Sequence, residues 1–263
     1  MRQIARRSGG LLKRIGSQLL RPRPILQTLI ALFIIDGVDN AVGLVIGLLI
    51  LAWVLTNAVD RARRLSRDAF YETYADAREL QQLEGQLPGV TPLLSAGDAR
   101  YAEQVIGGEL PGERAGELAL YTYEIHRGED KPPSLHRFTV VLHSLPGVGK
   151  RVSELYCEPR AGAALTDSVR SRLRALERLE LESVAFDRRF EIHYDGDAVW
   201  LKRVFAPSFI VWLAGHAPRN FAFELSGDHL CAYVTGHLKS EPQLDVLSAT
   251  TAAVADRLAT EAV

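Results

Sequence analysis

The side chains that could carry out chemistry are spread along the sequence and do not form a recognised catalytic motif. The seven histidines are His126, His136, His143, His193, His216, His229 and His237. No pair has the i, i+4 spacing of two helical zinc ligands, and no histidine is followed two residues later by glutamate. His136, His143 and His193 lie on or beside predicted strands, from which folding could bring them to Asp195 or Glu224. A pocket built from these groups would indicate an enzyme with hydrolase-like chemistry.

The segment Gly147-Val148-Gly149-Lys150 resembles the end of a phosphate-binding loop but departs from it at two positions. That motif requires glycine five residues before its final glycine and a hydroxyl residue after its lysine, because backbone N–H groups and the hydroxyl hold phosphates and magnesium. Ser144 and Arg151 occupy those positions here. We therefore predict a turn that closes a strand, and no nucleotide or other cofactor.

The chain has two cysteines, Cys157 and Cys231, and both fall on or beside predicted strands. Two thiols exclude a disulfide scaffold and a four-thiolate zinc site. In a reducing compartment we expect them to be small buried residues, whereas outside the cell they could pair. Neither has an identifiable general base. The sequence therefore assigns no catalytic, cofactor-binding or metal-binding residue.

An acidic cluster, Asp187, Glu191, Asp195 and Asp197, surrounds a predicted hairpin turn. A calcium loop needs a closer run of oxygen ligands, with a glycine and a closing glutamate at fixed positions. We predict a solvated turn whose carboxylates pair with the neighbouring Arg188 and Arg189.

Charge divides the chain into a basic leader and a mildly acidic body. Residues 1–24 carry seven basic side chains and no acidic one, whereas residues 81–263 carry nineteen basic and twenty-five acidic side chains. A basic side chain near an anionic membrane surface contributes about 1 kcal/mol. The leader residues expected to contact anionic lipid headgroups are Arg2, Arg6, Arg7, Lys13 and Arg14. The leader has no aromatic residue and the body is acidic, and both features disfavour nucleic acid as a partner.

Residues 25–59 contain no lysine or arginine and predict a membrane anchor over residues 22–59. Asp36 and Asp39 interrupt this stretch, and an aspartate at mid-bilayer costs about 2.5–3.5 kcal/mol. The interruption therefore lies at or beyond an interface. Either a helical hairpin spans the bilayer at 22–35 and 41–59, or a single span at 38–56 follows an interfacial segment. Basic residues on both flanks favour the hairpin, because the positive-inside rule retains both flanks in the cytoplasm only when the number of spans is even.

The rest of the chain is predicted to be an α+β domain that follows a stalk and a linker. We expect a basic leader at 1–21, a helical stalk at 60–84, a linker with a short helix near 98–106 over residues 85–116, and the domain over 117–263. The predicted strands are 118–126, 137–143, 152–157, 186–194, 198–205, 220–225 and 229–234. The predicted helices are 166–179, 208–215 and 243–261. This succession indicates an antiparallel sheet with flanking helices.

Motifs in the C-terminal half carry a family resemblance. They are FDRRFEI at 186–192, VFAPSFIVWL at 204–213, FAFEL at 221–225 and HLCAYV at 229–234. Their succession resembles the uncharacterised bacterial membrane proteins of the DUF3137 type, and it is similar to actinobacterial hypothetical membrane proteins. The resemblance covers residues 117–240 and implies a membrane-anchored cytoplasmic domain of unknown function. Its motifs are core-forming and assign no functional residue.

These features together predict a bacterial protein of the inner (plasma) membrane whose soluble domain lies in the cytoplasm. The function expected from an anchor without a catalytic motif is that of a binding or scaffolding module with a protein partner. The alternative is an enzyme whose histidine and acidic residues meet only in three dimensions. An exposed apolar patch would favour the binding module, and a pocket that gathers titratable groups would favour the enzyme.

Overall fold

The computed structural model describes residues 41–85, 87–128, 131–160 and 172–262, and the chain divides into two units, residues 1–72 and 73–263. The predicted leader, with Arg2, Arg6, Arg7, Lys13 and Arg14, and the predicted first span lie outside the described residues. The described part of the first unit is helical. It belongs to helix α1 (Ala41–Asp76), which covers the predicted second span and most of the stalk.

The second predicted span, residues 41–59, belongs to the described residues. No single helix among them combines the length and the hydropathy required to cross a bilayer. Two consecutive helices described below, Ala198–Val204 and Pro207–His216, reach those values only when taken together, and they are bent by 61°.

The second unit is built on one antiparallel sheet, which confirms the predicted α+β class. Its described strands are β1 (Gln81–Gln82), β2 (Ala99–Leu110), β3 (Arg114–Ile125), β4 (Ser134–Ser144), β5 (Val152–Pro159), β6 (Glu177–Arg178), β7 (Phe190–Gly196), β8 (Ala222–Ser226) and β9 (His229–Thr235). They lie side by side in the order β1-β2-β3-β4-β9-β8-β5-β7-β6. The strands predicted at 118–126, 137–143, 152–157, 220–225 and 229–234 are confirmed.

Helices flank this sheet. They are α2 (Pro92–Ser95), α3 (Val184–Asp187), α4 (Ala198–Val204), α5 (Pro207–His216) and α6 (Glu241–Ala262). A 3-10 turn, Val148–Lys150, joins β4 to β5. The helices predicted at 208–215 and 243–261 are confirmed as α5 and α6. The helix predicted from Thr166 to Leu179 lies partly outside the described residues, and its last part instead contains β6.

The centre of the sheet is buried on both faces. Alternate residues of β4 point to opposite faces, so that Val140 and Val141 contribute to different layers, and both are fully buried. Val140 belongs to a cluster that includes Leu93 and Leu94 of α2. On the other face, α6 packs against β4 and β9. These strands therefore consist of near-continuous apolar runs instead of alternating apolar and polar residues.

The short helix predicted near 98–106 is wrong, because these residues form strand β2. Their composition is rich in helix-forming residues, and a β-bulge hides the alternation that identifies a strand. The register against β3 shifts between Glu103 and Ile106, and Gln104 adopts a left-handed φ of 54°. The extra residue moves the apolar side chains out of period two, so the sequence pattern loses the strand signal.

The strand predicted at 198–205 is also wrong, because these residues form helix α4. The carboxylate of Asp197 accepts hydrogen bonds from the backbone N–H groups of Val199 and Trp200, both at 2.9 Å. This N-cap satisfies donors that a helix leaves free at its start. Trp200, Leu201 and Val204 then lie on one buried side of the helix. The predicted strand at 186–194 divides in the same way into α3 and the shorter strand β7.

Gly116 of β3 provides a test of how closely the sheet packs. A Cβ atom added there would lie 2.8 Å from the carbonyl oxygen of Leu142 and closer still to the ring of His143. We expect Gly116→Ala to lower the free energy of unfolding by about 1–3 kcal/mol, as overpacking does. The measurement is urea unfolding of the detergent-solubilised chain.

The matched control for that substitution is Gly215→Ala on helix α5. An added Cβ meets nothing within 4 Å there, and alanine is the better helix former by about 1 kcal/mol. This control should leave stability unchanged or raise it. Equal effects at the two positions would contradict the close approach of β3 and β4.

Candidate functional site

One line of side chains crosses the half of the sheet that contains β8, β5, β7 and β6. The register pairs Cys231 with Glu224, Glu224 with Tyr156, Tyr156 with His193, and His193 with Arg178. Laterally paired residues of a sheet point to the same face. These five residues, which we name the polar row, therefore share one face and bring an acid, a phenol, an imidazole and a guanidinium onto neighbouring strands.

Glu224 is the most unusual member of the polar row because its side chain is fully buried. Its Oε1 atom accepts a hydrogen bond from the backbone N–H of Leu93 at 2.7 Å, whereas Oε2 has no hydrogen-bond partner among the described residues. Burial raises the pKa of Glu224 to about 7, and the Leu93 N–H and the nearby Thr91 hydroxyl oppose this rise only in part. The carboxyl group can therefore hold or release a proton near neutral pH.

The structure does not bring His193 to Glu224. Tyr156 lies between them, and strands two places apart are separated by about 10 Å. His193 instead has Glu158 and Glu191 as neighbours, each with a carboxylate oxygen 3.9 Å from its Nε2 atom. Burial lowers the pKa of His193. Because Glu224 has no exposed surface, a substrate does not reach its carboxyl group in this structure.

His136 and His143 occupy other places. His143 lies on the opposite face of the sheet, where its Nδ1 atom is 2.8 Å from the carbonyl oxygen of Ala115. His136 stacks on Tyr123 with ring centroids 4.8 Å apart. Burial lowers the pKa of both imidazoles. The three histidines singled out in the sequence therefore do not form one pocket with Glu224.

Asp195 lies at the exposed end of β7, where its Oδ2 atom accepts a hydrogen bond from the Ser153 hydroxyl at 2.6 Å. It shares a face with His193, two residues away on the same strand. Within the described residues, no group of three or more histidine, cysteine, aspartate or glutamate side chains could hold a metal ion.

Both cysteines are free and buried. Cys231 belongs to the polar row, whereas Cys157 is paired with Phe223 and points to the opposite face. Burial raises the pKa of both thiols well above the usual value. This arrangement confirms the prediction of small buried residues, and because the two side chains point to opposite faces they do not pair with each other.

The Gly147–Lys150 segment is a turn that closes a strand, as predicted. Gly147 has a left-handed φ of 91°, and the Gly149 N–H donates a hydrogen bond to Oδ1 of Asp228 at 2.9 Å. The N–H groups of Gly149 and Gly147 lower the pKa of Asp228. The donors that a phosphate-binding loop would direct at a ligand are therefore directed at a side chain of the protein.

The prediction that Arg188 and Arg189 pair with the acidic cluster is wrong. Glu191 pairs with Arg160 at 2.9 Å and with Arg178 at 3.7 Å. Asp197 caps α4 and Asp195 binds Ser153, as described above. Arg189 instead donates to the backbone carbonyls of Ala214, Ala217 and Pro218 at the end of α5. The helix end supplies free carbonyl groups that compete successfully for this guanidinium.

An apolar surface on helix α5 escaped the sequence analysis. Ile210 and Leu213 are buried on the inner side of this helix, whereas the outer side is also largely apolar. Val211 is 65% exposed, and Val184, on the neighbouring helix α3, is 69% exposed. We name the outer residues the α5 surface, which consists of Val184, Pro207, Ser208, Val211, Trp212 and Gly215. The sequence signal was the uninterrupted apolar run of residues 209–214, which exceeds what one buried side of a helix requires.

A column of aromatic rings supports the α5 surface from below. Phe205 stacks on the buried Phe223 at 6.5 Å and lies 6.2 Å from Phe209. Phe209 stacks on Trp212 at 5.9 Å, and Trp212 stacks on His216 at 5.2 Å. Trp212 is therefore held in one orientation while part of its ring remains accessible.

The high pKa of Glu224 predicts how stability varies with pH. A carboxyl group whose pKa is 4.5 in the unfolded chain and about 7 in the folded one binds its proton more tightly in the folded state. Glu224 therefore contributes a loss of stability of about 3 kcal/mol in total as the pH rises from about 4.5 to 7, whereas the lowered pKa values of His136, His143 and His193 contribute with the opposite sign. Glu224→Gln should remove the contribution of Glu224, which urea unfolding at pH 5 and pH 7.5 would measure.

The control for Glu224→Gln is Glu182→Gln, at an exposed position. That variant should retain the wild-type difference in stability between the two pH values, whereas Glu224→Gln should become more stable relative to the wild type at pH 7.5 than at pH 5. A Glu224→Gln variant whose stability changes between the two pH values as that of the wild type does would show that Glu224 is ionised throughout.

No protein-family model matches the chain, and no curated protein matches it. Among solved structures, it is similar to the crystal structure of the mycobacterial trehalose monomycolate transport factor A, TtfA, with a TM-score of 0.42 and 12% sequence identity over 72% of this chain and 93% of that chain. A likeness this distant assigns neither a family nor a function to this chain, and the resemblance to the DUF3137 type stays a prediction.

Proposed function

We propose that this chain is a membrane-anchored binding module whose folded unit, residues 73–263, engages a protein partner through the α5 surface. The observation that carries the proposal is the exposure of Val211 beside Trp212 on a helix whose opposite side is buried. Exposed apolar surface of this kind marks interaction sites in soluble domains.

The α5 surface has the properties of a protein-binding anchor. Burial of an exposed valine contributes about 1.5 kcal/mol or more, and tryptophan is enriched among the residues that dominate interface energetics. The stacking of Trp212 between Phe209 and His216 fixes its ring before binding. Less side-chain entropy is therefore lost on association than for a mobile tryptophan.

The size of this surface favours a protein over a bilayer as its occupant. Helix α5 is ten residues long, its inner side is packed against the protein, and its C-terminal carbonyls are held by Arg189. It therefore offers a small fixed patch to a partner side chain, and it does not offer the long apolar stripe of a helix that lies in a membrane interface.

The membrane anchor in this proposal is supported by the amino-acid sequence. Residues 25–59 contain no basic side chain, which supports an anchor at 22–59. Arginines lie on both sides of this stretch, which supports a cytoplasmic folded unit. In that arrangement Arg2, Arg6, Arg7, Lys13 and Arg14 contact anionic headgroups, and the folded unit meets its partner in the cytoplasm.

The test is photo-crosslinking of the full-length protein in intact cells. A benzophenone side chain at position 211 should form a protein adduct, and one at position 246 should not. Val246 is the matched control because it is also an exposed valine, 44% accessible, on helix α6. Adding Ser208→Asp should abolish the adduct at 211, because it puts a charge into the apolar contact. The variant should still fold, because position 208 is exposed and lies near a helix N-terminus, where aspartate is tolerated.

Three outcomes would overturn the proposal. They are the absence of any protein adduct at 211, equal adducts at 211 and 246, or adducts with lipid alone. A protein adduct that persists unchanged in the Ser208→Asp chain would place the contact away from the α5 surface.

A further inference from the structure

A cavity lined by arginines opens beside the C-terminal end of helix α5. Its volume is about 340 Å³. The residues that line it are Pro159, Arg188, Arg189, Phe190, Arg219 and Asn220. We name it the arginine cavity. None of the described residues that line it is acidic, and none belongs to the α5 surface or to the polar row, so this site is independent of the function proposed above.

The walls of the arginine cavity are held in place by backbone contacts. Arg189 donates to the carbonyl of Pro218 at 2.9 Å, and also to those of Ala214 and Ala217. Arg189 therefore positions the loop that carries Arg219 and Asn220. Its own carbonyl accepts a hydrogen bond from the N–H of Arg160 at 3.1 Å, which fixes the β5 side of the cavity.

Arg188 and Arg219 of this cavity have no acidic partner among the described residues. Glu191, the acidic residue next along β7, is bonded to Arg160 and Arg178. Burial lowers the pKa of Arg189, which is the effect expected where cations lose water without gaining an anion. Like charges at one cavity repel each other unless an anion binds between them.

We propose that the arginine cavity binds the phosphate group of a phosphorylated organic molecule, with Arg188 and Arg219 as its direct ligands. The planar guanidinium fork donates two hydrogen bonds to phosphate oxygens at once, and a phosphate dianion has enough acceptors for two arginines. A carboxylate has a single charge and two oxygens, and it would therefore leave one of the two arginines without a charged acceptor. The amide of Asn220 lies at the same cavity and is a further donor.

The cavity is larger than a phosphate group, and its remaining walls are suited to the part of the ligand that carries the phosphate. Phe190, which is almost completely buried, and Pro159 are the apolar residues among those that line the cavity. Apolar walls beside a charged subsite are typical of pockets for small organic molecules. The phosphate can come from a soluble phosphate monoester or from a lipid headgroup, and the experiment separates these sources.

The experiment is isothermal titration calorimetry on the full-length, detergent-solubilised chain. Inorganic phosphate is titrated first into the wild type, into Arg188→Gln/Arg219→Gln, and into the control Lys202→Gln/Arg203→Gln, which removes two exposed cations of helix α4. Phosphate should bind the wild type and the control equally and the cavity variant at least tenfold more weakly. Thermal unfolding followed by circular dichroism checks that the three chains are folded. We expect all three to fold, because the side chains replaced in both pairs are exposed.

Glycerol 3-phosphate and dihexanoyl phosphatidic acid are titrated next. Tighter binding of the first identifies a soluble phosphate monoester, and tighter binding of the second identifies a lipid headgroup. The proposal is overturned if the cavity variant binds phosphate as the wild type does, if acetate binds as tightly as phosphate, or if neither organic phosphate binds more tightly than inorganic phosphate. Since no crosslinking position lies in the cavity, these results are independent of the partner of the α5 surface.

Discussion

The pairing of β4 with β9 is the constraint on which the folded unit depends. It joins residues 138–144 to residues 229–235, far apart in sequence, and so unites the hairpin system of β1–β4 with the strands β5–β8. Both strands are buried on both faces, between the α2 segment and helix α6. Burial of apolar surface at this seam offsets the entropy lost in closing so long a loop. The polar row depends on this seam, because β8 pairs with β9 and shares its register.

Regular strands and long helices were predictable from the sequence, because their signal is local. The strands at 118–126 and 229–234 and the helix at 243–261 have the expected period, and packing agrees with it. The predictions for 98–106 and 198–205 were wrong, because one residue in each segment changes the secondary structure that its neighbours adopt. The left-handed Gln104 shifts the register of β2, and the carboxylate of Asp197 starts a helix in a segment rich in strand-forming residues.

The candidate sites were harder to predict because they depend on register and on competition between partners. Glu224 and Tyr156 are neighbours only through the pairing of β8 with β5, which no local pattern reveals. Arg189 stands next to acidic residues in the sequence, yet it binds the carbonyls that α5 leaves free at its end. A carboxylate on a strand can pair with any of several neighbouring cations. The free carbonyls at the end of a helix can accept hydrogen bonds only from the few donors that lie close to them.

Strand β8 connects the two faces of the domain through adjacent residues. Phe223 and Glu224 follow each other in the chain and therefore point to opposite faces. Phe223 carries the aromatic column that supports Trp212, whereas Glu224 accepts the N–H of Leu93 on the other face. A slip of one residue in β8 would bury an aromatic ring where the carboxyl group belongs and remove the support of the α5 surface. The register of β8 therefore determines both the position of the buried carboxyl group of Glu224 and the aromatic support of the α5 surface.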